Sequence, residues 1–447
     1  MKIKSGIVLI YLLVLANFVG AQENQVQKYS LKEAVDFAKK NNYSLKNNKL
    51  DVIASQKKVN EVLAMGLPQI NASANLINNV KIPVQVVPNF LQPVMGGPDN
   101  LELAFSRPYT SGITLSANQL LFDGTFILGV KASKEFVNLA QLNLSRTQIE
   151  TEVNVSKAYY LVLLFDANEQ MMQKNIVSLT KTKSDLEQFY KNGFSEKVDV
   201  DRLTLQLSNL SLQKDKIHDQ LQVAKMILKL QMGLPVNDSI VLSDGLEKLY
   251  EVSKSMAIEE KANYSTRIEY KMLQQQLTLN NMDKKRYQVG YLPSFFLFAN
   301  HQQNAFGDDL GALYDKFYPG TSVGLSMTLP IFDGLKKHAQ TQQARIGISK
   351  TVNDIKNFEN VIDQQVYQSK ANYLRSGQQL EIQRGNLKLA QEIYDRMDIK
   401  YKNGVGSSLE LTTAQTDLET ARTNFLTTVY EYFVAEMELK KALGLIN

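Results

Sequence analysis

Along this chain the apolar positions follow two periods, and each period is written twice. Leu203, Leu207, Leu210, Lys214, Ile217, Leu221, Ala224 and Leu228 step by four and three in alternation, with Lys214 as the mismatch. The same steps recur at Ala414, Leu418, Ala421, Phe425, Thr428, Tyr432, Ala435 and Leu439. That alternation is a heptad seam, so each half of the chain is predicted to end in a coiled-coil helix. Ahead of each seam lies a proline-free stretch, 124–191 and 334–402. Each predicts one very long helix, about 100 Å at 1.5 Å per residue. Shorter helices over 30–64 and 195–232 are roughly 50 to 60 Å each, so two in series match one long helix. Gly404 supplies a left-handed stop, and Ser407 with Glu410 three residues later forms a capping box for the last helix. Gly193 and Ser195 are expected to do the same in the first half.

The second period is two. Ile70, Ala72, Ala74 and Leu76 alternate with polar neighbours, as do Ile113, Leu115 and Ala117, and Val323, Leu325, Met327 and Leu329. A run after Pro293, with Phe295 to Phe298, alternates poorly and is assigned as a strand because it repeats the first. These segments, about 10 to 12 residues each, suit tilted strands crossing a bilayer. On alternation alone a soluble sandwich fits equally well.

The duplication is legible residue by residue. Tyr190-Lys191-Asn192-Gly193 recurs as Tyr401-Lys402-Asn403-Gly404, and Phe122-Asp123-Gly124 as Phe332-Asp333-Gly334. Both are offset by roughly 210 residues, whereas Asn42 and Arg267 or Leu67-Pro68 and Leu292-Pro293 are offset by about 225. One gap of about fifteen residues between Pro68 and Phe122 reconciles them, and the run 81–100 reads as a long surface loop. The expected organisation is a first repeat over 22–233, a linker over 234–255 and a second repeat over 256–447. Residues 1–21 read as a signal peptide: Lys2 and Lys4 precede an apolar run too short to anchor, and Val19-Gly20-Ala21 fits a cleavage site.

Four strands are too few to close a barrel, and an open sheet in lipid leaves two edges of unpaired backbone groups. Closure therefore needs several chains. Two copies would give eight strands and a plugged interior, and three would give twelve and room for an aqueous lumen.

Composition excludes more than it selects. The formal charge of +5 falls to +3 once the two signal lysines are removed, which is no footprint for nucleic acid. Cysteine is absent, so packing and assembly must stabilise an exported chain. His218, His301 and His338 are the only histidines, and none has a metal-ligand neighbour at zinc spacing. No phosphate loop or nucleophile elbow is present, so no enzyme activity, cofactor or metal is expected.

The residues now carry a resemblance. Ser30-Leu31 to Ala38 with Asn41-Asn42, Arg267-Ile268-Glu269-Tyr270, the Leu-Pro strand openings, Leu329-Pro330-Ile331-Phe332-Asp333-Gly334 and the two Tyr-Lys-Asn-Gly turns, in this order, resemble the TolC-type outer-membrane efflux proteins. The resemblance implies a mainly α fold with a small β part: duplicated helical hairpins forming a tunnel, and four strands per chain in a shared trimeric barrel. It implies a homotrimeric outer-membrane exit duct for efflux or type I secretion, working with a periplasmic adaptor and an inner-membrane transporter. It places the gate at the helix turns, with acids at Asp199 and Glu410 and with Tyr401 as a partner for the first-turn acid. The adaptor would dock on the turns formed by Asn192, Gly193, Ser195, Asn403, Gly404 and Ser407. Gly406 and Thr413 stand where well-studied members carry an arginine and a second aspartate. Asp199 and Glu410 are also ordinary first-turn helix acids, favoured by the macrodipole. The rival reading is a coiled-coil adaptor of the same export machinery, which would show one hairpin within glycine-rich β modules; this chain has two hairpins and few strands.

Overall fold

The computed structural model describes residues 27–90, 94, 96–252 and 263–446. The expected signal peptide lies outside the described residues, as do residues 253–255 of the expected linker. The chain divides into two compact units. One comprises the described residues up to Leu50, Leu142–Lys271 and Lys356 onward; the other comprises Asp51–Gln141 and Met272–Ile355.

In chain order the elements are β1 (Gln27–Tyr29), α1 (Leu31–Asn41), α2 (Tyr43–Ala64), β2 (Gln69–Asn78), β3 (Val84–Pro88), β4 (Asn100–Ala104), β5 (Tyr109–Phe122), α3 (Gly124–Lys191) and α4 (Lys197–Met232). They continue with β6 (Ile240–Leu242), α5 (Leu246–Val252), α6 (Ile268–Val289), β7 (Ser294–Gly307), β8 (Tyr318–Thr328), α7 (Lys336–Lys402) and α8 (Ser408–Leu443). The long helices α3 and α7 form as the proline-free stretches predict. The helix expected over 30–64 is instead two. Asn42 leaves the helical region at ψ 129°, and its carboxamide oxygen accepts from the amides of Ser44 and Leu45, so it stops α1 and caps α2. The loop expected over 81–100 contains part of a strand pair, because Val84 to Pro88 finds an antiparallel partner in Asn100 to Ala104.

Within the first unit the heptad seams face inward. Leu203, Leu210, Leu221, Ala224 and Leu228 are buried on α4, and Ala414, Leu418, Phe425, Thr428 and Leu439 on α8. The main apolar core gathers Tyr159, Tyr160 and Val162 of α3 with Leu221 and Leu228 of α4 and Val429 and Phe433 of α8. Tyr160 stacks on Phe433 with ring centroids 4.7 Å apart. β1 and β6 pair in parallel beside this core. The Asp244 carboxylate ties them in, accepting from the Leu31 amide at 2.9 Å and the Tyr159 hydroxyl at 2.8 Å.

The end of each seam helix is sealed by the matching residue of its repeat. Asn42 donates to the Gln231 carbonyl at 2.7 Å, at the end of α4, and Arg267 donates to the Ala442 carbonyl at 2.9 Å, at the end of α8. Both side chains are buried, and both satisfy carbonyls that a helix end leaves without intrahelical partners. One joint is thus built twice with different chemistry.

The second unit holds a four-stranded antiparallel sheet in the order β2-β5-β7-β8. The poorly alternating run forms β7 and lies inside the sheet, between β5 and β8. Ile70, Ala72, Ala74 and Leu76 share one face with Ile113, Leu115, Val323, Leu325 and Met327, while Asn71, Ser73, Asn75, Thr114, Ser116, Asn300 and Ser322 share the other. The apolar face is open: Ile70 is 67% exposed, Val323 70% and Leu325 63%. Among the described strands, β2 and β8 have no partner on their outer edges. None of the described helices is long and apolar enough to cross a membrane.

Candidate functional site at the helix turns

Two turns close the hairpins α3–α4 and α7–α8 in the first unit. In the first, Gly193 takes φ +80°, and the amides of Gly193 and Phe194 reach the carbonyls of Tyr190 and Phe189 at 3.0 and 2.8 Å. In the second, Gly404 takes φ +75°, and the amides of Gly404 and Val405 reach those of Tyr401 and Lys400 at 3.0 and 3.1 Å. A side chain at either glycine would meet open space, so backbone conformation alone demands glycine here. Gly406 is different. A Cβ there would press on the Tyr401 amide and the Lys400 backbone and side chain at 3.0 to 3.1 Å, so a side chain at this position, such as the arginine that the resemblance leads one to expect, needs the end of α7 to give by a few tenths of an ångström.

The caps differ between the turns. Ser407 caps α8 by accepting from the Glu410 amide at 3.2 Å, but the Glu410 carboxylate pairs with Lys400 at 3.3 Å, so only half of the expected capping box forms. In the first turn Glu196, not Ser195, is the capping residue, and it makes no side-chain cap. The Ser195 hydroxyl instead donates to the Leu186 carbonyl at 3.3 Å, tying the turn back to α3. Asn192 and Asn403 end their helices through their own amides, at 3.1 Å to Gln188 and Ile399.

Asp199 and Tyr401 are brought together from different repeats. Tyr401 packs its ring into the apolar cluster of the first hairpin, formed by Met171, Met172, Leu179, Leu186, Leu203 and Leu210. Burial first, then the charges of Asp199 and Asp185, push its phenol above its ordinary pKa. The hydroxyl is buried without a hydrogen-bond partner, so the ring, rather than a bond to the acid, fastens it. The Asp199 carboxylate accepts instead from the Ser408 hydroxyl at 2.7 Å, with Arg202 at 3.8 Å on the same oxygen. Ser408 and Lys400 are the neighbours that sequence reasoning missed. Ser407-Ser408 offered a hint, but the sequence pattern used only the first serine, as a cap. Higher up, Gln206 meets Thr416 at 3.4 Å, and Glu419 carries a buried carboxylate oxygen with no partner. Burial lifts the Glu419 pKa from its ordinary 4.5 to about 7, with the Gln415 side chain pulling weakly the other way.

Among the described residues no group of three or more His, Asp or Glu is placed to hold a metal ion. His218 rests against Glu169 at 2.7 Å, and His301 against Thr321 at 2.8 Å.

This duplicated architecture can be set beside known proteins. The outer membrane efflux protein family matches residues 34–233 and 270–445, which takes in both hairpins, both turns and the sheet. The chain belongs to the outer membrane efflux protein family. TolC of Escherichia coli (strain K12) is 27% identical over 138 residues, a stretch covering 31% of this chain and 28% of that protein. TolC of Salmonella enteritidis is 21% identical over 434 residues, covering 94% of this chain and 83% of that one. The open state of the MtrE outer membrane channel of Neisseria gonorrhoeae superposes with a TM-score of 0.70 at 17% identity, covering 93% of this chain and 88% of that one. At that identity the superposition speaks for the fold. Family membership accounts for the exposed apolar face of the sheet, because this efflux protein resides in the outer membrane of a Gram-negative cell.

Proposed function

We propose that this efflux protein works as a homotrimer whose three sheets close into one barrel, forming the exit duct of a tripartite efflux or type I secretion system. The observation that carries this reading is the sheet itself: four strands, an exposed apolar face, and β2 and β8 with free outer edges. Backbone groups at such edges have no water to bond in hydrocarbon, so each β8 needs the β2 of a neighbouring copy. A second stripe supports the same assembly. Val198, Leu205, Leu212 and Met226 lie at heptad-compatible spacing on α4 and are exposed, as are Tyr367, Leu374, Ile382 and Leu389 on α7. Helices of a neighbouring copy would cover them.

In this reading the mature chain starts at Gln22 and carries its repeats over 22–233 and 256–447, joined by 234–255. The duct is passive, and its narrow ring lies at the helix turns. Asp199 and Glu410 set the charge there, and Tyr401 helps hold the resting tunnel shut through its buried ring. The turns around Asn192, Gly193, Ser195, Asn403, Gly404 and Ser407 receive a periplasmic adaptor, which links the duct to an inner-membrane transporter. Cross-linking of the detergent-extracted protein tests the assembly and should stop at three chains, with N-terminal sequencing starting at Gln22. A stable water-soluble monomer absent from the membrane fraction would sink the reading.

A further inference from the structure

We infer that Ser408 is the polar latch of the resting turns: by donating to Asp199 it holds the start of α8 against the start of α4, and it is the bond that must break when the two hairpins separate. The inference rests on the gate reading above and assigns the hydrogen bond to a residue which that reading does not include.

Near the turns, Met171, Leu179 and Leu186 of α3 meet Leu203 and Leu210 of α4 inside the first hairpin, and Leu411, Ala414 and Leu418 are buried on α8. Between hairpins, Tyr401 contributes its ring to that cluster and Ser408 contributes its bond to Asp199. The next polar contact up the seam, Gln206 to Thr416, is long at 3.4 Å. The Ser408 bond is short at 2.7 Å and has a carboxylate acceptor, which is the stronger class of hydrogen bond. The Asp199 side chain is only 27% exposed, so bulk water competes poorly for it, whereas Arg202 is 57% exposed and stands off at 3.8 Å.

Neither partner caps its own helix. Ser407 caps α8 and Glu196 occupies the capping position of α4, so the latch opens without unravelling either helix start. Tyr401 cannot replace it in this state, because its hydroxyl has no partner to lose. Opening the latch also frees the Asp199 carboxylate, so release of the hairpins and exposure of a negative charge at the entrance occur in one event.

The chain has no cysteine, so an engineered pair gives a single defined disulfide. The experiment uses the full-length protein in planar bilayers, with thermal melting and trimer content as controls. Ser408→Ala should raise the resting open probability about tenfold at unchanged melting temperature, and Ser408→Thr, which keeps the hydroxyl, should restore parental behaviour. The oxidised double variant Asp199→Cys/Ser408→Cys should conduct less than the parent and recover on reduction. If Ser408→Ala matches the parent while the oxidised pair closes the channel, the latch assignment is overturned and the gate stands. If the oxidised pair also conducts like the parent, the gate reading falls with it.

Discussion

The helices α4 and α8 descend from one ancestral pattern, yet they are buried differently within a single chain. On α4 the seam Leu203, Leu210, Leu221, Ala224 and Leu228 is covered, while Leu205 and Leu212, two positions along from buried leucines, are 65% and 69% exposed. On α8 the buried set widens beyond the seam to Leu411, Gln415, Leu426, Val429, Phe433 and Met437. Equal heptads therefore do not imply equal surroundings. A helix packed on two sides by its own chain hides a wide face, and one packed on a single side keeps an apolar stripe for something else. The duplicated joints make the same point at smaller scale, with an asparagine closing α4 where an arginine closes α8.

The sharpest way to break this comparison is to put one charge on each side of α4. Leu210→Asp buries an unpaired carboxylate and should cost at least about 3 kcal/mol of protomer stability, read as a large drop in the melting transition. Leu212→Asp should leave protomer helicity intact and weaken the assembly by about 2 kcal/mol per copy, the worth of one buried leucine, seen as loss of cross-linked oligomer. Unchanged oligomer in Leu212→Asp would mean that the exposed stripe has no partner. Next in size, Gly404→Val forces a branched side chain to positive φ at a cost of about 1–3 kcal/mol. Export should fall while trimer levels hold, and unchanged export would argue against docking at the turn.

Glu419, half-buried on α8, makes stability depend on pH. Its pKa is raised on folding, so its stabilising contribution is full below the ordinary value of 4.5 and is lost as pH rises through about 7. Glu419→Gln should therefore stabilise the protein at pH 8, by on the order of 1 kcal/mol after solvent screening, and change little at pH 4. Thermal melts at the two pH values check it, and a parallel offset at both would remove the titration argument. The smallest stability effect belongs to Glu410→Gln, within about 0.5 kcal/mol, because its pair with Lys400 is half exposed. Its consequence should be electrical: reduced cation preference in planar-bilayer recordings, whereas unchanged selectivity would make the acid a helix-start residue only.

Local periodicity carried much of this fold into the sequence. The heptad seams, the long helices, the glycine turns and the alternating strands depend on residues three, four or two apart, and their order, duplicated, was enough to resemble the family. Local competition hid some breaks. Asn42 interrupts a helical stretch because its side chain caps the next helix and reaches Gln231, and the second of those bonds spans 189 residues. Val84 to Pro88 pairs with Asn100 to Ala104 across a stretch rich in turn residues, where loop signals outweigh strand signals. The candidate site was half legible. The resemblance to the family singled out Asp199, Tyr401 and Glu410, but the partner each one takes was decided by tertiary structure: Asp199 meets Ser408 across 209 residues, Tyr401 buries its hydroxyl among the first hairpin's leucines and methionines, and Glu410 turns to Lys400 instead of completing its cap. The physical reason is range. A backbone period states which face of a helix is apolar, whereas the choice of hydrogen-bond partner depends on which helix arrives beside it, and only the folded chain brings those helices together.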